Sequence, residues 1–236
     1  MIIDAHVHWR GGVCPGDHRG GAQDLFRAME SAGVSKAVVV GLDPRDRETI
    51  DEVTAARGSR LAAFVDLAPA ESNSAFVGEI VPRAAGLGET YVQCGSSQLP
   101  EDYLRPVLRI ARSRKLPVML HTGDFSYTAP AMMMGMIQEF SDVTFILAHM
   151  GSLAFVQDAI EVAVASSNTY LETSGMTSPA MLRRAVREVG ADRILFGSDY
   201  PFWHPAVERA RVENAGLDQT ATRLIMGENV ARLLEL

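Results

Sequence analysis

Eight short apolar segments, rich in Val, Ile and Leu, recur along the chain at regular intervals. They are continuously apolar rather than alternating, which is the pattern of strands buried on both faces of a parallel sheet. We predict strands at residues 2–8, 36–42, 61–67, 87–93, 117–121, 143–149, 169–173 and 194–198. Successive strands start about 25 to 35 residues apart, which is the length of one strand, one helix and a return loop.

The segments between these strands carry apolar residues at helical spacing. Three such stripes are Leu104, Val107, Leu108 and Ala111; Leu153, Val156, Ile160 and Val164; and Met181, Leu182, Ala185 and Val189. Ser178 followed by Pro179 predicts a helix start, and Gly190 predicts its end. Eight strand–helix units in series, with no linker between them, predict an α/β fold in which residues 1–236 form a single (β/α)₈ TIM barrel.

Composition limits the classes of partner. The 236 residues carry a formal net charge of −7, which argues against nucleic acid because phosphate binding needs a concentrated basic face. No apolar run is long enough to cross a bilayer. The two cysteines, Cys14 and Cys94, lack the spacing of a metal or disulfide framework. We therefore expect a cytoplasmic protein with no nucleic-acid or membrane partner and a small-molecule substrate; a homodimer stays open.

The histidines carry the strongest functional signal. Of six in the chain, four end a predicted strand: His6, His8, His121 and His149. Alternate residues of a strand point to the same side, so His6 and His8 project together. Asp199 follows the eighth strand, which neighbours the first in a closed barrel. Because active sites of such barrels form where the strands end, these residues predict a nitrogen and oxygen site suited to zinc and its first-row neighbours.

The segments around these residues resemble the amidohydrolase superfamily. The similarity lies in Asp4–His8, Leu120–Gly123, Leu147–Gly151 and Gly197–Pro201, with Gly227–Leu234 similar to the family's closing helix. The most similar branch is the amidohydrolase-related (amidohydrolase 2) branch, which includes aminocarboxymuconate-semialdehyde decarboxylase-like enzymes. The resemblance spans the whole chain in order, and the combination is more specific than any single motif.

What the resemblance implies is a divalent metal, zinc first and manganese as the alternative, bound by His6, His8, His121 and Asp199. His149 is implied as a catalytic group or as a ligand of a second metal. Asp4 is interpreted as orienting the first strand rather than binding the metal. The resemblance leaves open whether each chain binds one ion or two.

The fourth predicted strand departs from many relatives, which carry a lysine there. The only lysines in this chain are Lys36 and Lys115, and the fourth strand contains Glu89 instead. Glu89 resembles the bridging glutamate of the deoxyribonuclease branch, which supports two metals. The alternative is a glutamate hydrogen-bonded low in the barrel or pointed outward, because strand register cannot be read to one residue from sequence.

These residues predict a metal-dependent hydrolase of an ester, lactone or amide. A metal lowers the pKa of water toward neutrality, Asp199 would move its proton, and His149 would stabilise the developing oxyanion. The alternative is a metal-dependent non-oxidative decarboxylase, which needs an arginine near the pocket, from Arg10, Arg45 or Arg47. A metal-binding module without turnover is a third hypothesis. Substrate contacts are predicted in the loops after strands one and eight, from Trp9, Arg10, Tyr200, Trp203 and His204.

Overall fold

The structure is a computed structural model of the chain, and it describes residues 1–9, 22–55, 60–67, 77–90 and 100–236. Arg10, one of the predicted substrate contacts, lies outside the described residues, as do Cys14 and Cys94.

Eight parallel strands form one sheet in chain order, each paired with the next. They are β1 (Ile3–Val7), β2 (Lys36–Leu42), β3 (Leu61–Val65), β4 (Gly86–Thr90), β5 (Val118–Leu120), β6 (Phe145–Leu147), β7 (Thr169–Glu172) and β8 (Ile194–Leu195). All eight lie within the apolar segments predicted from the sequence or extend them by one residue. The observed strands are mostly shorter than the predicted segments.

Helices follow the strands around the outside. They are α1 (Ala22–Ala32), α2 (Arg47–Ala55), α3 (Val77–Ile80), α4 (Pro100–Arg114), α5 (Met134–Glu139), α6 (Ser152–Ala165), α7 (Pro179–Glu188), α8 (Pro205–Glu213), α9 (Gln219–Arg223) and α10 (Asn229–Leu234). Ser178 caps α7 by accepting a hydrogen bond from the backbone of Met181, with Pro179 in the first turn. The helix start predicted from Ser178 and Pro179 is confirmed.

Backbone hydrogen bonds join the end of the sheet to its beginning. Ala5 N donates to the carbonyl of Phe196 at 2.8 Å, and His8 N donates to that of Tyr200 at 2.7 Å. A short parallel bridge also pairs Val7 with Tyr200. A cluster of buried side chains from non-adjacent strands, including Phe64, Met119 and Leu195, can meet only inside such a ring. The predicted (β/α)₈ barrel is confirmed.

Helix α6 corrects one of the predicted apolar stripes. Leu153 and Val164 are 65% and 53% exposed, whereas Val156, Ala159 and Ile160 are buried. The first turn of α6 is irregular, with Phe155 at φ −125°, so the helical phase cannot be extended back through it to Leu153. The helix is also apolar on most of its surface, which leaves the sequence without a clear polar face to set the phase.

Within the described parts of the chain, none of the helices has the length and apolar character that crossing a bilayer requires.

Candidate metal centre

His6 and His8 lie where β1 ends, and their ring centroids are 5.3 Å apart. His6 is the last but one residue of the strand and is fully buried, whereas His8 follows the strand and lines an open cavity. The extended backbone puts both side chains on the same side, as the spacing of the two histidines predicts.

Asp199 approaches this histidine pair from the loop after β8. Its backbone N–H donates to the carbonyl of His6 at 2.7 Å, and its φ of 57° turns the chain sharply there. The Oδ1 atom lies 3.0 Å from His8 Nε2 and 3.4 Å from His6 Nε2. Yet Oδ1 is buried and makes no hydrogen bond, which is costly for a carboxylate oxygen unless a cation satisfies it.

Glu89 lies between two pairs of histidines. Its Oε2 atom is 3.1 Å from His6 Nε2 and 3.7 Å from His8 Nε2. Its Oε1 atom is 2.8 Å from His121 Nδ1 and 3.1 Å from His149 Nε2. Glu89 therefore points into the site, and the alternative of an outward orientation does not hold.

His121 and His149 follow β5 and β6, with ring centroids 4.8 Å apart. Asp124 lies 2.9 Å from His121 Nε2, an arrangement that leaves Nδ1 directed at Glu89. His149 has a φ of 62° in a tight turn, a conformation uncommon for a residue with a side chain and typical of functional sites. The structure thus places His121 and His149 on one side of Glu89. His6, His8 and Asp199 lie on its other side.

The charges of this cluster shift its pKa values strongly. Burial alone would lower the pKa of His6, but the carboxylates of Glu89 and Asp199 hold it well above its ordinary value. Burial alone would raise the pKa of Glu89, but the charge of His6 and hydrogen bonds from His121 and His149 hold it well below. The pKa of His149 is likewise raised by Glu89 against the effect of burial.

The donor atoms fit a divalent metal. Three groups have ligand atoms within 4.8 Å of one another: His6, His8 and Asp199; Glu89, His121 and His149; and His6, His149 and Glu172. Most residues of the first two groups line the cavity. Imidazole nitrogens with carboxylate oxygens are the donors that zinc and manganese accept. The buried Oδ1 of Asp199, which makes no hydrogen bond, fits the role of a ligand atom for such a cation.

Glu172, the last residue of β7, belongs to the site and was not predicted. It is fully buried, and its Oε2 lies 2.9 Å from His6 Nδ1. Burial raises its pKa, but the hydrogen bond and charge of His6 lower it more, so that the net shift is downward. The sequence did contain a signal, since a glutamate within a predicted buried strand needs a buried partner.

Gly197 leaves room for this glutamate, which gives a testable prediction. A Cβ added to Gly197 would press against the carboxylate of Glu172 and lie 2.8 Å from the Cβ of His6. We expect Gly197→Ala to lower the free energy of unfolding by about 1–3 kcal/mol through overpacking, measured by urea denaturation with chelator present. The control is Gly78→Ala, where an added Cβ meets nothing within 4 Å. Equal losses in both variants would contradict the close packing.

Asp4 joins β1 to the loop after β8. Its Oδ1 accepts hydrogen bonds from the backbone N–H groups of His6 at 3.1 Å and Ser198 at 2.9 Å. Burial raises the pKa of Asp4 to about 7. Asp4 thereby ties the strand that carries His6 to the loop that carries Asp199, in agreement with the orienting position interpreted from the sequence.

A cavity of about 750 Å³ opens above these groups. Aromatic side chains form part of its wall: Trp9, Tyr127, Phe202 and Trp203. The described residues that line it include six carboxylates, Asp43, Asp46, Asp66, Glu89, Asp124 and Asp199, and no lysine or arginine. Its size suits a small organic molecule.

The predicted substrate contacts divide into two sets. Trp9 and Trp203 line the cavity, and the Trp203 ring centroid is 6.4 Å from that of His149. Tyr200 packs against the main hydrophobic core and is not part of the cavity wall. His204 begins helix α8, where its Nδ1 accepts a hydrogen bond from Ala206 N. Tyr200 and His204 were predicted near the site because they follow Asp199 in the sequence. In the structure, the turn after Asp199 directs them toward the outer helices.

Glu208 on α8 lies beneath the loop that follows β7. It is 1% exposed, is paired with Arg211, and accepts a hydrogen bond from the backbone of Gly175. Burial raises its pKa from the ordinary 4.5 to about 7, despite the opposing charge of Arg211.

This raised pKa predicts a pH dependence of stability. Between about pH 4.5 and 7 the folded protein retains a proton that the unfolded chain releases, so stability falls as pH rises through this window. The loss is at most roughly 3 kcal/mol at 1.36 kcal/mol per pKa unit. We expect Glu208→Gln to flatten the decline, measured by urea denaturation at several pH values with chelator present. Glu213→Gln, an exposed change on the same helix, is the control; equal slopes in wild type and Glu208→Gln would refute this.

Similar folds occur in solved structures. An uncharacterized TIM-barrel protein from Bordetella bronchiseptica is 22% identical, with a TM-score of 0.77. The alignment covers 91% of this chain and 83% of the Bordetella chain. A dihydroxybenzoic acid decarboxylase from Polaromonas sp. JS666, with bound manganese and 2-nitroresorcinol, is 17% identical over 100% and 97% of the chains, with a TM-score of 0.72. A Pseudomonas putida protein assigned as a 2-pyrone-4,6-dicarboxylic acid hydrolase is 16% identical over 99% and 97%, with a TM-score of 0.74.

Such identities establish the fold alone. A search of curated protein sequences finds no match. The sequence profile of the amidohydrolase family, however, matches residues 3–236, which includes every strand of the barrel and every residue of the candidate metal centre. The chain therefore belongs to the amidohydrolase family, as the strand-end motifs indicate.

Proposed function

We propose that this protein is a metal-dependent hydrolase that cleaves an ester, lactone or amide bond in a small organic substrate. The observation that carries the proposal is the buried, unsatisfied Oδ1 of Asp199, held beside His6 and His8 in the wall of the cavity. A carboxylate in this position is next to both the metal donors and the space available to substrate.

Asp199 is placed to move the proton. A divalent cation held by these donors would polarise a substrate carbonyl and acidify water. Asp199 then acts as the general base, because its carboxylate faces the cavity and can accept a proton from water and pass it to the leaving group. Zinc is the cation we propose, with manganese as the alternative.

Glu89 supports a centre of two ions. Each of its oxygens faces a different pair of histidines, Oε2 toward His6 and His8 and Oε1 toward His121 and His149. We therefore propose that Glu89 contributes to two sets of metal ligands. One set contains His6, His8 and Asp199, and the other contains His121 and His149. With a single ion, held by His6, His8, His121 and Asp199, His149 instead remains available to donate a hydrogen bond to the developing oxyanion.

The charge of the cavity favours hydrolysis over decarboxylation. A carboxylated substrate needs a cationic side chain, and the sequence offered Arg10, Arg45 and Arg47. Arg45 is paired with Asp43 at 2.7 Å and Arg47 with Glu79, and both arginines are exposed. Neither lines the cavity, where the described residues contribute carboxylates.

Decarboxylation is the second candidate. The observation in its favour is the similar fold of the manganese-containing Polaromonas decarboxylase, together with a metal centre open to a cavity of suitable size. The remaining arginine among the sequence candidates, Arg10, would have to provide the cation.

A substrate panel separates these functions. The purified protein is analysed for metal, then incubated with lactones, esters, amides and hydroxybenzoates while acid and carbon dioxide release are measured. We expect acid release from a lactone or ester, lost after chelation and restored by zinc or manganese. Carbon dioxide release from a hydroxybenzoate would instead establish the decarboxylase. Metal binding without turnover of any compound would favour the non-catalytic module.

A further inference from the structure

The seventh strand supplies no metal ligand to the centre proposed above, yet its end contacts histidines on both sides of it. We infer that Glu172 and Ser174 are a positioning pair that sets the tautomers of His6 and His149, so that Nε2 of each ring faces the metal centre. The inference rests on the proposed function, because it concerns how the ligands of that centre are held.

Glu172 receives hydrogen bonds from several directions. Its Oε2 lies 2.9 Å from His6 Nδ1, and it accepts from the His149 backbone N–H at 3.1 Å and from the Ser174 hydroxyl at 2.8 Å. Its Oε1 accepts from the Ser174 backbone N–H. An ionised carboxylate can only accept hydrogen bonds. The proton between Glu172 and His6 therefore sits on Nδ1, which leaves Nε2 as the atom of His6 that faces Glu89 and Asp199 and is available to a metal.

Ser174 determines which ring nitrogen of His149 carries a proton. The hydroxyl has one hydrogen, which it donates to Glu172, so toward His149 Nδ1, at 2.8 Å, its oxygen can only accept. Nδ1 of His149 therefore carries a proton. Its Nε2, 3.1 Å from Glu89 Oε1, is left as the atom that faces the metal centre.

The backbone contact serves the same purpose. His149 has a φ of 62°, in the left-handed region, and its N–H is held by Glu172 Oε2. Glu172 thus fixes the main chain of His149 directly and its ring through Ser174. Because Glu172 and Ser174 are both fully buried, water does not compete for these hydrogen bonds.

The experiment compares two variants in the full chain. Glu172→Gln keeps the shape but offers one accepting oxygen in place of two. Ser174→Ala removes the hydroxyl that links Glu172 to His149 and leaves the 2.9 Å contact of Glu172 with His6 Nδ1 in place. Long-range ¹H–¹⁵N NMR of histidine-labelled, zinc-loaded protein reports which ring nitrogen carries the proton, and chelator competition reports zinc affinity. Glu208→Gln is the matched control, since it is the same change at another buried glutamate, whose carboxylate pairs with Arg211 rather than with a histidine.

We expect wild type to show Nδ1–H on His6 and His149. Glu172→Gln should weaken zinc binding by about 10- to 100-fold and disturb both rings. Ser174→Ala should disturb the ring of His149 but keep the proton of His6 on Nδ1, because Glu172 still accepts it. Unaltered tautomers and affinity in both variants would overturn the inference. If Glu172→Gln does not fold, Ser174→Ala decides alone.

A wild-type protein that binds no zinc would contradict the proposed function rather than this inference. The tautomers are then measured in metal-free protein at a pH where both rings are neutral. Protons on Nδ1 that shift in the variants support the positioning pair, and protons on Nε2 in wild type overturn it.

Discussion

Asp199→Asn is expected to lower kcat/KM for the hydrolysed substrate by about 10³-fold, within the 10²- to 10⁴-fold range of general acid–base catalysis. The amide keeps the shape of the side chain but cannot take up a proton from water. It also presents a weaker donor beside His6 and His8, where Oδ1 now lies 3.4 and 3.0 Å from their Nε2 atoms. The measurement is steady-state kinetics at saturating metal, with the metal content of each sample determined in parallel.

The parallel metal analysis separates the two roles of Asp199. Loss of turnover with metal retained identifies the proton-transfer role, whereas loss of both identifies a ligand. Asp43→Asn is the matched control, because Asp43 lines the same cavity but is paired with Arg45 rather than with a histidine. Full activity in Asp199→Asn at unchanged metal content would exclude Asp199 as the general base.

Glu89→Gln is expected to reduce bound zinc from two ions to at most one and to weaken the affinity of any remaining ion by more than about 100-fold. Even groups that only orient a ligand change metal affinity by about 10- to 100-fold, and Glu89 is in direct contact with ligand atoms on both sides. Zinc per chain is measured by elemental analysis after equilibrium dialysis.

The control for this change is Glu79→Gln, a surface glutamate paired with Arg47. A wild type with one ion, retained with the same affinity in Glu89→Gln, would show that Glu89 is a neighbour of the metal rather than its ligand. In the metal-free variant the pKa of His6 should also fall, since the charge of Glu89 is the leading contribution that raises it.

Much of the site could be predicted because barrel topology turns sequence order into position. Once eight buried strands are recognised, residues that end them must meet at one face, and His6, His8, His121, His149 and Asp199 follow from that. Trp203, in the loop that follows β8, also lines the cavity. Tyr200 and His204, in the same loop, do not line it. The order of the strands places the loop, but the local turns within it decide where each side chain points.

The sequence by itself determined the barrel, its strands and the histidines and carboxylate that end them, because burial on both faces of a strand leaves a continuous apolar pattern. Only the tertiary structure decided which oxygen of Glu89 faces which imidazole, and that Glu172 holds His6 from behind. These contacts depend on side-chain rotamers and on strand register. A shift of the register by one residue moves a side chain to the other face of the sheet. His6 is separated in sequence from Glu89 by 83 positions and from Glu172 by 166. No local sequence pattern predicts contacts over such separations.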